Sequence, residues 1–175
     1  KLAGLLWRFW YLRGYLREGR QWLNEFLAMP NDTITDRAFA LDGLGILAWR
    51  QSDPEPAHRS YHEALALFQD SGDREGEAKV LSHWGLLHND FGTTEDTIRC
   101  YEQSLAISRS LNDEIAAVSV LHNLGNLYCQ LNENEKAAVL YAECELIYRK
   151  TGDVGSIALI KLGLGNIARD QGDGF

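Results

Sequence analysis

Only three cysteines occur in the 175 residues: Cys100, Cys129 and Cys144. An odd number without a CxxC spacing excludes a disulfide framework and fits thiols kept reduced in the cytosol. Long apolar runs are also lacking, and none reaches the roughly 18 residues that a membrane-spanning helix requires. No charged start leads into an apolar stretch and a small-residue cleavage site, so nothing marks the chain for export. A GK[ST] triplet is missing, which leaves GLG at 43–45 and 163–165 without the groups that cradle and neutralise a phosphate. The segment HEALA, from His62, has Ala66 where an HExxH zinc helix needs its second histidine. Positive charge is scarce and uneven at a net −8: Lys1, Arg8, Arg13, Arg17 and Arg20 oppose Glu18 alone in the first 24 residues, and the rest carries −12. Such a body repels nucleic acid. The first residue is Lys1 and not Met, so a piece of something larger is expected.

What is present is repetition, which takes precedence over other readings. Leu44-Gly45, Trp84-Gly85, Leu124-Gly125 and Leu164-Gly165 recur at a step of 40, and Tyr61, Tyr101 and Tyr141 form a second series with the same step. Gly72-Asp73, Asn112-Asp113 and Gly152-Asp153 mark breaks, and Gly92, Asn132 and Gly172 lie 20 residues from these. Each repeat is therefore two segments of about 18 residues joined at Gly or Asn. Those two residues best tolerate the left-handed conformation that ends a helix, so the segments are read as helices and the junctions as C-terminal caps. The three- and four-residue steps of Leu121, Leu124, Tyr128 and Leu131, and of Ala137, Tyr141, Cys144 and Tyr148, agree. Ser52-Asp53-Pro54-Glu55 and Thr93-Thr94-Glu95-Asp96 each offer a hydroxyl cap with an acid three residues on.

Leu41, Leu44, Gly45, Ala57, Tyr61 and Ala64, then Leu81, Trp84, Gly85, Tyr101 and Ser104, then Leu121, Leu124, Gly125, Tyr128, Ala137, Tyr141 and Cys144 form a pattern that resembles the tetratricopeptide repeat (TPR) family. Departures are a period longer than the family's 34, a missing proline after the second helix, and Thr97 in place of alanine. The resemblance implies an all-α fold: a right-handed TPR-like superhelical solenoid of antiparallel helix pairs with a 40-residue period. One domain over 1–175 is expected, with an atypical repeat at 1–32, repeats at 33–72, 73–112 and 113–152, and a truncated one at 153–175.

The first repeat holds seven aromatics between residues 5 and 26. Its REGRQWLNEFL aligns with PEPAHRSYHEAL when Gly19 meets Ala57, so Trp10, Tyr11, Trp22 and Phe26 are expected partly in the core. A first repeat has no neighbour on one side, and Trp7, Arg8, Tyr11 and Tyr15 are expected to face another domain, a partner or a second copy. LWRFWYLRGYLREGRQWLNEFL also resembles the start of the C-terminal TPR region of bacterial STAND-type signal-transduction ATPases and LuxR-type transcriptional regulators. That resemblance implies a preceding nucleotide-binding domain and a cytoplasmic regulatory role.

Catalysis finds no support in the residues. His58 and His62 lie one turn apart without a third ligand and read as solvated helix surface. Cys144 falls at a packed position and Cys129 near a groove, neither with a paired base. DQGDGF lacks the later acid of a calcium loop. Neither a metal nor a cofactor is expected. The TPR resemblance implies instead that the first helices of successive repeats line a concave groove. Its candidate residues are Phe39, Asp42, Ile46 and Trp49; Lys79, Ser82, Leu86 and Asn89; His122, Asn126 and Cys129; Leu162, Asn166 and Arg169, with Ser119 and Leu159 one turn earlier. Asparagine there can donate to and accept from an extended peptide. Asp42 and Ile46 stand where a co-chaperone clamp would have lysine and asparagine, which disfavours a chaperone-tail adaptor. The expected role is a non-catalytic arm that holds a peptide, protein or small inducer, with a stand-alone scaffolding adaptor as the alternative.

Overall fold

The computed structural model describes residues 2–30 and 33–170, apart from the side chains of residues 2–5, 166 and 170. All regular structure among these residues is helical: α1 Leu2–Arg13, α2 Leu16–Leu27, α3 Ile34–Arg50, α4 Pro54–Ser71, α5 Arg74–Phe91, α6 Thr94–Ser110, α7 Glu114–Gln130, α8 Asn134–Thr151 and α9 Val154–Asp170. The first pair has 12-residue helices and the later ones 17 or 18, so the first repeat is short by more than a turn per helix. The chain divides into two compact units, Lys1–Ile107 and Ser108–Phe175.

Turn chemistry ends the helices. Gly72 and Gly152 take φ of 69° and 73°, and Asn112 and Asn132 take 55° and 59°, the left-handed cap that their side chains tolerate. Two expectations change here. Gly92 is extended at φ −115°, ψ −151°. Its glycine is needed for space, since a Cβ would lie 2.4 Å from His88 Nδ1. Ser52 is not an N-cap but itself adopts φ 57°. The α4 cap is Asp53, whose carboxylate is turned outward to Arg20 at 2.9 Å. Thr93 does cap α6, accepting from the Asp96 amide at 3.1 Å and donating to the Asp96 carboxylate at 2.9 Å. Asp73 and Asp113 cap α5 and α7, which complements the positive helix ends.

In the first unit, α3 packs on α4 through Gly45, where a Cβ would stand 2.6 Å from the Tyr61 ring. The α5–α6 pair repeats this at Gly85, with Tyr101 at 2.5 Å. Tyr61, Ala57, Ala64 and Phe68 are buried with Leu41 and Val80 in one cluster. Buried Ser104 donates to the Ala78 carbonyl at 2.7 Å, which pins α6 to α5. In α2, Gly19 is buried as the sequence alignment with Ala57 requires, under Trp10 and Leu47. Arg20 ties this pair to the next repeat through Gln51 and Asp53, and Arg37 donates to the Leu27 carbonyl at 2.8 Å.

The second unit uses the same parts. Tyr141 covers Gly125 at 2.7 Å and reaches Gly163 of α9 at 2.9 Å. Cys144 stands in the register of Ser104 and donates to the Val118 carbonyl at 3.7 Å. Burial pushes its thiol up to about 12 and that of Cys100 up to about 11, so both are packing residues and poor nucleophiles. Gly165 differs from its three counterparts: nothing lies within 4 Å of where its Cβ would be.

A paired substitution tests the packing rule. Gly85→Ala should lower unfolding stability by about 1–3 kcal/mol because the Tyr101 ring must move. Gly165→Ala should leave it unchanged or raise it by about 0.5–1 kcal/mol through helix propensity. Equal effects in urea titrations would show that the glycines are not there for the tyrosines.

Candidate functional site: the inner positions of α3, α5, α7 and α9

The side chains expected to line a groove fall into different environments in the two units. In the first, two expectations are overturned by burial. Asp42 is 2% exposed and accepts from His83 Nδ1 at 2.8 Å, so its charge is spent on α5 and not offered to a ligand. Ile46 is 3% exposed and belongs to the core around Tyr61. Trp49 is half-buried and donates to Asp90 at 2.8 Å, and Phe39 sits under Lys79 at 5.9 Å while its ring meets Phe68 edge-on. Half-buried Ser82 and Leu86 and exposed Asn89 are the remaining inner positions of α5.

Trp7 corrects a further expectation. It does not face outward but packs on Gly43, where a Cβ would lie 2.9 Å away, and meets His83 edge-on at 6.0 Å. Arg8, Tyr11 and Tyr15 are exposed, with Arg50 over the Tyr11 ring at 5.1 Å. Trp10 and Phe26 pack on the core cluster of Leu23, Ala40, Leu44 and Leu47, whereas Trp22 is 61% exposed and does not.

In the second unit, α7 presents His122, Asn126 and Cys129 around one hydroxyl. Tyr141 donates to Asn126 Oδ1 at 2.6 Å, Cys129 Sγ donates to the Tyr141 oxygen at 3.6 Å, and the His122 ring lies 6.1 Å from the Tyr141 ring. Burial lowers the His122 pKa and keeps its imidazole neutral near pH 7. Burial, reinforced by Cys129, raises that of Tyr141, which stays protonated and able to donate. Asn126 is exposed, and its oxygen already accepts from the Tyr141 hydroxyl, so this side chain has a structural duty besides the ligand contact expected of it. Exposed Leu162 and Leu159 of α9 add apolar surface, and Arg169 is exposed. The Asn166 side chain lies outside the described residues.

Chemistry elsewhere is sparse. No group of three His, Cys, Asp or Glu side chains among the described residues could hold a metal. His58 is not solvated surface as expected: its Nδ1 accepts from Trp84 Nε1 at 2.9 Å, while His62 is exposed. Sequence reasoning also missed His83, whose place was signalled by pairs one residue beyond the repeat step: Asp42 with His83, and Trp49 with Asp90. The DQGDGF stretch, beyond its first residue, lies outside the described residues. No described helix is long and apolar enough to cross a membrane.

Comparison with known proteins bears on the fold. Residues 76–150 match the tetratricopeptide repeat family. No curated protein matches the sequence. Similar solved structures include BtubC (BKLC) from P. vanneervenii, at 18% identity and a TM-score of 0.84 over 98% of this chain and 72% of that one. A putative kinesin light chain with nearly identical TPR-like repeats from Podosopora anserina aligns at 14% identity and a TM-score of 0.77, over 98% and 86%. Aspartyl phosphate phosphatase F from Bacillus subtilis aligns at 13% identity and a TM-score of 0.83; 92% of this chain spans 43% of that protein. These likenesses show the fold, an all-α TPR-like solenoid, and support a tetratricopeptide repeat array.

The tyrosine hydroxyls provide a test. Tyr61 OH is buried without a partner, because Ile46 stands where Asn126 serves Tyr141. Tyr141→Phe should therefore cost about 0.5–1.5 kcal/mol, and Tyr61→Phe should be neutral or stabilising. Thermal melts in which Tyr61→Phe is the more damaging change would contradict the assignment.

Proposed function

We propose that the chain is a non-catalytic protein-interaction module that holds a peptide, protein or small inducer on the inner positions of its first helices. The observation that carries this reading is the second unit's inner face. There Asn126 is exposed and held by the Tyr141 hydroxyl, and α9 of the same unit leaves Leu159 and Leu162 exposed. An amide together with apolar surface suits an extended backbone better than an ion. The module acts as the cytoplasmic regulatory arm of a larger bacterial signalling or transcription-regulating protein, with a nucleotide-binding domain preceding it. Support for that comes from the opening stretch, which leaves Phe9, Leu12, Tyr15 and Trp22 exposed between arginines. In the parent protein this face meets the preceding domain; in isolation it pairs with a second copy.

A scaffolding adaptor without a switching role is the second reading. It is favoured by the first unit, where Asp42–His83 and Trp49–Asp90 already join the inner residues to each other. The named structural neighbours include a phosphatase and a putative kinesin light chain, so the fold serves several roles and does not choose between the two readings.

Peptides selected from a random library on the immobilised chain give the test. Leu159→Ala and Leu162→Ala, both exposed on α9, should each weaken the selected peptides by about 1–3 kcal/mol. Gln103→Ala on the exposed side of α6 should not. Equal affinity for all four proteins would place binding elsewhere. Sedimentation should separately show concentration-dependent dimers, diminished by Leu12→Ser with Trp22→Ser; a monomer throughout would remove the self-pairing face.

A further inference from the structure

Trp84 lies away from the inner positions, between α4 and α5, and three imidazoles surround it. His58 of α4 accepts the Trp84 indole proton on Nδ1 at 2.9 Å. His88, one turn further along α5, stacks on the indole with ring centroids 5.7 Å apart and an interplanar angle of 22°. The His58 and His88 rings are 4.9 Å apart, and His62 meets the indole edge-on at 6.2 Å. His88 Nδ1 is buried with no hydrogen-bond partner. An open cleft lined by His58, Arg59, His62, Glu63, Ala66 and Trp84 gives solvent access to one side of the cluster.

The hydrogen bond fixes a protonation state. Indole N–H can only donate, so His58 must accept on Nδ1 and carry its single proton on Nε2. A second proton on His58 has nowhere to go but Nδ1, where it removes the acceptor and sets two donors against each other. We propose that His58, Trp84 and His88 form a proton-operated joint between α4 and α5, closed while His58 is neutral and opened when it is protonated.

The charged groups facing the cluster come in pairs of opposite sign. On α4, Arg59 and Glu63 flank the cleft with opposite signs, and His62 is the exposed third imidazole. On α6, Asp96 pulls the His88 pKa up and Arg99 pushes it down, and these two are paired with each other. Burial is the largest influence on His88 and lowers its pKa, with His58 next in the same direction. A histidine whose folded-state pKa lies below its unfolded value favours the folded state fully above the unfolded value, about 6.5, and loses that contribution as pH falls through the folded-state value. His88 therefore disfavours the folded cluster as pH falls, and a proton on His58 Nδ1 would remove the acceptor of the Trp84 indole, so the joint weakens in acid. Opening frees a contact that couples the second repeat's α4 to the third repeat's α5, within the first unit.

The test reads the Trp84 indole proton by NMR in the full 175-residue chain, its resonance assigned with Trp84→Phe. Its protection from solvent exchange, corrected for the intrinsic pH dependence, should fall by on the order of tenfold or more between about pH 7.5 and pH 5. His62→Gln should behave like the parent chain. His58→Gln, whose amide oxygen accepts from the indole and cannot titrate, should keep the protection across that range. Unchanged protection in the parent chain, or an undiminished pH response in His58→Gln, would overturn the proposal. Should His58→Gln fail to fold, imidazole nitrogen shifts of the parent chain decide the matter: a proton on Nε2 at about pH 7.5 is required, and one on Nδ1 refutes it.

Discussion

A tyrosine ring laid over a glycine is the contact on which the rest of the molecule depends. At Gly45, Gly85 and Gly125 the ring approaches to between 2.5 and 2.7 Å of where a Cβ would be, a separation no other residue permits. The glycine removes the side chain from one helix so that the aromatic of the next can lie against its backbone, and a ring of that size excludes more water than an aliphatic in its place. The same exchange recurs with other partners, Gly76 under Phe68, Gly43 under Trp7 and Gly19 under Trp10. Helices held this closely allow short polar links to reach a backbone: Ser104 to the Ala78 carbonyl and, with the longer reach of sulfur, Cys144 to that of Val118.

Once the helix spacing is set, the inner positions become free to vary, and the two units use that freedom in opposite ways. In the first, successive inner helices bond to each other through Asp42–His83 and Trp49–Asp90. Burying a carboxylate is tolerable only because His83 supplies a donor, since an unpaired buried charge costs far more than the pair returns. In the second, the inner polar groups gather on Tyr141 and leave amide donors and leucines uncovered. The first unit thus joins its inner residues to one another, and the second joins its own through one tyrosine hydroxyl.

The period, the helical segments and the tyrosine–glycine register were legible because each is a local or strictly repeated signal. Left-handed caps at Gly72, Asn112, Asn132 and Gly152 follow from the residues alone. The misses have a common cause, which is that facing is decided by neighbours distant in sequence. Asp42 reads as surface until His83 is brought to it from 41 residues away. Trp7 reads as an outward aromatic until Gly43 provides a seat, and His58 as solvated until Trp84 donates to it. Gly92 looks like a left-handed cap by its position, but His88 determines that it is a spacer. A glycine's reason cannot be separated into freedom or space without its surroundings.

The tyrosine series shows how inner-face polarity can change on such a scaffold without disturbing it. Each ring makes the same contact with its glycine, but the residue in the repeat register of Asn126 differs, being Ile46 in the second repeat and Leu86 in the third. With Ile46 the Tyr61 hydroxyl is buried and unpartnered, a cost of about 1–3 kcal/mol that the surrounding packing offsets. With Asn126 the hydroxyl becomes a donor that orients an amide toward the exterior. One substitution on the inner face therefore converts a structural penalty into a fixed hydrogen-bonding group, while the ring beneath continues to hold the helices together. The ring and the hydroxyl of a single side chain thus serve different neighbours, and this is why inner positions can diverge from repeat to repeat while the glycine and tyrosine beneath them remain.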